Sequence, residues 1–74
     1  MNALDNILCQ VFRLKEDQIK DKFTMGDVPA WDSLTHMDLI TSIEEGLNIQ
    51  LTMDDIMNMR DIGTIKKIVS EKLV

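Results

Sequence analysis

Within the stretch Trp31-Asp32-Ser33-Leu34-Thr35-His36-Met37-Asp38 lie a serine, a histidine and two carboxylates, the residue types from which a reactive centre can be built. Asp32 suits a helix N-cap, because its carboxylate can accept hydrogen bonds from first-turn amides that have no partner inside the helix. Ser33 then becomes the first helical residue. Its hydroxyl projects from the positive end of the helix, where an attached phosphate is favoured by the dipole and free N–H groups by ~0.3–1 kcal/mol. The position therefore suits a phosphoserine-type linkage. A hydrolytic triad fits poorly: Asp38 points about 140° from Ser33 and about 160° from His36 on a helical wheel, and no strand–turn–helix elbow or oxyanion hole is evident. No catalytic residue is assigned. Asp54, Asp55, Asn58 and Asp61 are oxygen donors close in sequence, but they lack the alternation and central glycine of a calcium loop, so no metal site is expected.

The helix that must position Ser33 is predicted from Ser33 to about Leu47. Leu39, Ile40, Ile43 and Leu47 form the stripe to bury, with His36 at its N-terminal end. Trp31 and His36 occupy the two positions of a hydrophobic staple, so the ring can fix the angle at which the chain enters the helix. On the opposite side Leu34 and Met37 lie among Asp38, Thr41, Glu44 and Glu45, which reads as a docking face for basic partners. Asn48 is placed to end the helix in the left-handed conformation.

Elsewhere Leu4, Ile7, Leu8, Val11, Phe12 and Leu14 predict an amphipathic first helix from about Asn2 to Leu14. Lys15 to Ala30 reads as a long loop with Gly26 and Pro29 as breakers, pinned by Ile19, Phe23 and Val28, with a helical turn near Asp17 to Lys22. Thr52 and Asp55 approximate a capping box for a short third helix from Met53 to Asn58 or Met59, with Ile56 and Met59 inward and Met57 at the margin. Thr64 is the expected cap of a last helix to about Leu73, with Ile65, Ile68, Val69 and Leu73 buried. The fold class is all-α: a small four-helix bundle of three longer helices plus a short third, with a long loop between the first two.

Seventy-four residues, 45% of them hydrophobic, suffice for one domain over 1–74 but leave little room for a deep active site. Six methionines could let the core deform around a flexible guest, but most read as plain packing. The formal charge is −5, and no lysine or arginine occurs between Lys22 and Arg60, so acidity concentrates around the serine. This excludes the positive footprint of a nucleic-acid binder and favours partners with basic patches. Cys9 is the sole cysteine, so no internal disulfide forms. With neither a signal peptide nor a membrane-length apolar run, the chain reads as a cytoplasmic protein without membrane insertion.

Asp32-Ser33-Leu34, followed by Leu39-Ile40, Ile43-Glu44-Glu45 and Leu47-Asn48-Ile49, resembles the acyl carrier protein family and its peptidyl carrier relatives over essentially the whole chain. The resemblance implies an acyl-carrier type bundle. It implies that Ser33 is esterified to 4′-phosphopantetheine from coenzyme A, whose thiol holds acyl groups as thioesters. Asp32, besides capping the helix, would help bind the metal used by the phosphopantetheinyl transferase. Expected partners are that transferase and acyl-loading and acyl-processing enzymes, met by a monomer through Leu34, Met37, Asp38, Glu44, Glu45 and Met57. The pathway implied is fatty-acid-like or specialised biosynthesis; Trp31, His36 and Met37 depart from the small and acidic residues common in fatty-acid carriers, which favours a stand-alone carrier for a dedicated polyketide, peptide or polysaccharide pathway over bulk fatty-acid synthesis. The alternative is an unmodified helical interaction module with the same fold.

Overall fold

The computed structural model describes residues 3–73 as four helices joined by one long and two short connections. Helix α1 spans Ala3–Phe12 and buries Leu4, Leu8 and Phe12, one residue per turn. It ends two residues earlier than its apolar pattern predicts. Arg13 turns into the left-handed region with φ 56°, and the Leu14 amide reaches back to the Cys9 carbonyl at 3.1 Å, satisfying an end-of-helix acceptor. Leu14 still packs against the core, but from outside the helix. Asn2, the predicted first residue of this helix, lies outside the described residues.

The long connection is pinned as expected by Ile19, Phe23 and Val28, of which Val28 is fully buried. Its helical turn is a single 3-10 turn at Glu16–Gln18, which overlaps the expected span at Asp17 and Gln18 but begins one residue earlier and ends sooner. A second turn is closed by the Asp27 carboxylate, which accepts from the Thr24 amide at 2.9 Å and hydroxyl at 3.1 Å. The chain then runs through Trp31 into α2, Ser33–Leu47.

Helix α2 buries Leu39, Ile40 and Ile43 and half-buries Leu47 against the core. Near its end a β-carbon on Gly46 would stand 3.1 Å from Ile7 Cδ1, so the glycine permits the close approach of α1. Asn48, at φ 55° and ψ 49°, terminates the helix as expected. Helix α3, Met53–Asn58, carries the Thr52/Asp55 capping box, with both reciprocal bonds at 3.0 Å. None of its own residues is fully buried; Met59, just past its end, is.

Helix α4, Ile62–Leu73, begins earlier than predicted, and Thr64 is not its cap. The Asp61 carboxylate accepts from the Thr64 amide at 2.7 Å, while the Ile62 and Gly63 amides donate to the carbonyls of Phe23 and Asp21 at 3.0 and 2.8 Å. Three first-turn donors are thus satisfied by Asp61 and by the long loop, which also pairs Thr24 with Asp61 in an isolated antiparallel bridge. The approach is tight enough that a β-carbon on Gly63 would lie 3.2 Å from the Asp21 carbonyl oxygen. Starting the helix at Asp61 brings Ile62 into the core beside Ile65 and Val69, whereas Leu73, expected to be buried, is 56% exposed in the last turn.

Twelve apolar side chains from α1, α2, α4, the long loop and Met59 just after α3 form the buried core, with no buried polar or charged residue among the described positions. Trp31 is its largest member at 2% exposure, its ring stacked on Phe12 with centroids 4.6 Å apart. It goes deeper than a staple at the helix entrance and ties α1 to the start of α2.

Three carboxylates hold helix starts together. Asp55 accepts from the Thr52 amide and pairs with Lys72 at 3.0 Å, Asp61 accepts from Thr64, and Asp32 accepts from Thr35. Backbone N–H donation is the leading cause that holds each below the usual carboxylate range. The folded chain therefore binds fewer protons than the unfolded one just below about pH 4. These groups contribute stability that is complete above that pH and is lost as pH falls through their lowered values. Urea unfolding is expected to show a lower midpoint at pH 3 than at pH 5, with a smaller difference in Asp55→Asn; equal midpoints at the two pH values would contradict this assignment.

Candidate functional site

Ser33 is positioned by its neighbours on both sides. Asp32, in extended conformation at φ −122° and ψ −172°, turns its carboxylate onto the Thr35 amide at 2.9 Å, and its carbonyl accepts the first intrahelical bond, from His36, at 2.8 Å. The Thr35 backbone N–H, then its hydroxyl, stabilise the charged carboxylate, with the Leu34 N–H adding to them. Ser33 is therefore the first residue of a capped, fifteen-residue helix. It is exposed, and its hydroxyl makes no hydrogen bond to the described residues. An exposed hydroxyl on the positive end of a long helix is a fit acceptor for a phosphate-linked group.

Below the serine, His36 is half-buried and committed on both nitrogens. Trp31 Nε1 donates to Nδ1 at 3.1 Å, and Nε2 lies 3.1 Å from the Ile56 carbonyl. Indole is only a donor, so Nδ1 must accept, and the ring proton resides on Nε2, which donates to Ile56. The two rings are nearly parallel, at 19°, with centroids 6.1 Å apart. Histidine thus bridges the helix start to α3, and Asp38 is exposed on another side of the helix, so Ser33, His36 and Asp38 form no relay. Among the described residues no cluster of three or more potential metal ligands occurs.

Two open concavities flank this helix start. One, about 600 Å³, is polar and is lined by residues including Arg13, Asp32, Thr35, Asp38 and Ser42. The other, about 510 Å³, is more apolar and is lined by residues including Met25, His36, Ile56, Met57 and Arg60.

The anticipated docking residues are brought together only in part. Leu34 is 81% exposed, Met37 53% and Met57 62%, and Asp38 and Glu45 are also exposed. Glu44 is different: it is half-buried, and its carboxylate accepts from the Leu51 amide at 3.0 Å, fastening the segment that enters α3. It is a structural carboxylate, not a free member of the acidic rim. Exposure of Met37 and Met57 fits the anticipated face, whereas Met25 and Met53 depart from the packing expected of most methionines. Met25, Met37, Met53 and Met57 are exposed and only Met59 of the described five is buried. Met25, Met53 and Arg60 were not among the residues singled out from the sequence; the charged or breaker residues beside each were the available signal. Cys9 sits half-buried, its thiol pushed up first by burial and then by the charges of Glu16 and Asp5.

The family model for the phosphopantetheine attachment site matches residues 2–69. The chain belongs to that family. A covalently attached 4′-phosphopantetheine is the prosthetic group of this carrier family, and a holo relative of known structure supports it. Holo acyl carrier protein from Geobacter metallireducens is 32% identical, with a TM-score of 0.84 over 96% of this chain and 82% of that one. A putative acyl carrier protein from Mycobacterium tuberculosis shares the fold at 23% identity, with a TM-score of 0.80 over 93% of this chain and 92% of that one. No curated protein matches the sequence significantly. No helix among the described residues of the carrier is long and apolar enough to cross a membrane.

Proposed function

We propose that this carrier domain bears its phosphopantetheine on Ser33 and presents acyl groups to partner enzymes without catalysing their chemistry. The observation that carries the reading is the free, exposed hydroxyl at the first position of a helix capped by Asp32. When bound, the prosthetic group supplies a thiol on which acyl units are held as thioesters. The chain's own residues do the rest: Asp32 fixes the helix mouth, the core holds α2 rigid, and the exposed face receives partners. Tethering replaces a diffusing substrate by one at an effective concentration set by docking.

In the attachment step the Ser33 oxygen attacks the β-phosphorus of coenzyme A and displaces 3′,5′-adenosine bisphosphate. The serine proton is lost, and a phosphodiester with one negative charge remains. The transferase that performs this step meets a face of Leu34, Met37, Asp38, Glu45 and Met57, with Met25 and Met53 as further exposed apolar contacts. We assign the carrier to a dedicated pathway of polyketide, peptide or polysaccharide type, working as a cytoplasmic monomer. The dedicated-pathway reading rests on Trp31 and His36, a buried tryptophan and a half-buried histidine where fatty-acid carriers commonly have small or acidic residues.

Purified protein incubated with coenzyme A, magnesium and a broad-specificity phosphopantetheinyl transferase is expected to gain one phosphopantetheine by intact mass. No gain in folded protein with two unrelated transferases would instead support an unmodified interaction module. Changing Glu45 to lysine places a positive charge on the docking face without touching a bonded group. Binding to the transferase is expected to weaken roughly three- to ten-fold at low salt, on the scale of ~0.6–1.4 kcal/mol for an exposed charge reversal, and to depend less on salt. Unchanged affinity across a salt titration would remove Glu45 from the interface.

A further inference from the structure

Helix α3 is held to the serine-bearing helix by an imidazole whose two nitrogens have opposite duties. Nδ1 accepts from the buried Trp31 indole, and Nε2 donates to Ile56, so the bridge requires the neutral ring. An imidazolium carries N–H on both nitrogens and has nothing with which to receive the indole proton. Because α3 has no fully buried residue of its own, such polar ties weigh heavily in holding it. Ser33 precedes His36 by three residues, so a group on the serine lies on the neighbouring turn above the ring.

We propose that His36 is a charge-sensitive clamp: it fastens α3 while Ser33 carries a free hydroxyl, and the negative phosphodiester of a loaded arm promotes the imidazolium and loosens it. This rests on the reading that Ser33 is the attachment site. On α3 itself Asp54 and Asp55 precede Ile56, and Asp55 is already paired with Lys72 at 3.0 Å. From the long loop, Thr24, Met25 and Gly26 line the groove beside it and none titrates, while Asp27 is turned onto Thr24. After α3, Arg60 lines the same groove and opposes a second positive charge, its Nε held near the Met57 carbonyl. On the ring's own helix, Asp32 is engaged by Thr35, and from α1 the Trp31 ring meets Phe12, which has no charge. Loading Ser33 adds a new negative charge to this set, and α3 becomes freer to move when the carrier is charged with its arm.

The test is a pH titration from 8.5 to 5 by NMR, following the Trp31 indole N–H and the amides of Ile56 to Asn58. The samples are unloaded protein, protein loaded from coenzyme A, Ser33→Glu and His36→Gln. In the unloaded protein both sets of signals are expected to move together as the bridge opens. The midpoint of that movement should lie higher in the loaded and Ser33→Glu forms than in the unloaded protein, because a negative charge at that position favours the imidazolium. Glutamine can accept from Trp31 and donate to Ile56 without titrating, so His36→Gln should hold both signals fixed. Equal midpoints in unloaded protein and Ser33→Glu, or indole movement that the α3 amides do not follow, would overturn the clamp. If no loading occurs by mass, the attachment reading fails, and Ser33→Glu alone still decides whether His36 responds to charge at that position.

Discussion

The Ser33→Ala protein is expected to take up no phosphopantetheine, while melting within a few degrees of the parent. Loss of uptake without loss of fold is the outcome expected, on the proposed attachment, from where the serine sits. It is the first residue of α2, it is exposed, and its hydroxyl is bonded to none of the described residues, so alanine removes no structural contact. The cap belongs to Asp32 and survives the change. Alanine is also a good helix former, so the first turn is not weakened by propensity. The other serines offer no substitute. Ser42 is half-buried inside α2, and Ser70 lies near the C-terminal end of α4, where the helix dipole disfavours a phosphate. The measurement is intact mass after incubation with coenzyme A and transferase, beside thermal unfolding followed by circular dichroism. A mass gain in Ser33→Ala would move the attachment elsewhere. A loss of more than about 10 °C in melting temperature, on the order of 1–2 kcal/mol for a chain this size, would show that the hydroxyl has a structural duty.

The serine helix was legible because all its signals are local. Asp32 before Ser33, apolar residues three and four apart, and Asn48 at the end specify both ends and the buried face of α2 within one window. The same holds for the Thr52/Asp55 box of α3. What the sequence hid depends on residues far along the chain. Asp61 and Thr64 are both capping types, and the choice between them is made by Phe23 and Asp21, which supply carbonyls some forty residues upstream. Arg13 gives no sign of a left-handed turn, because arginine has no special preference for it; the core beneath Phe12 and Leu14 imposes the conformation. Glu44 looks like any acid on an exposed face until α3's entry segment brings the Leu51 amide to it. The same limitation applies to the site. Ser33 and Asp32 are placed by local rules, whereas the bond from Trp31 through His36 to Ile56 joins three segments and could be read only in part, as a staple.

Trp31→Ala is expected to be the most destabilising single substitution in the carrier, leaving little folded protein at 37 °C. The ring is the largest side chain in the core, stacks on Phe12 of α1, and supplies the N–H that orients His36. Truncating a buried tryptophan typically costs about 3–5 kcal/mol, from lost burial and the cavity left behind. A domain of this length has only about 4–11 kcal/mol to lose. A melting temperature lower by at least roughly 15 °C is the expected reading. Trp31→Phe separates the two contributions. Phenylalanine can fill much of the space against Phe12 but cannot donate to His36, so it should recover most of the stability while leaving Nδ1 without its partner. The α3 amides of Trp31→Phe should then lose protection from hydrogen exchange more than those of α1 and α2, because the imidazole joining α3 to the serine helix is no longer held from both sides. Uniform loss across all four helices would mean that the indole matters through its volume alone, and that α3 is held by the Glu44 and Asp55 ties without help from the ring.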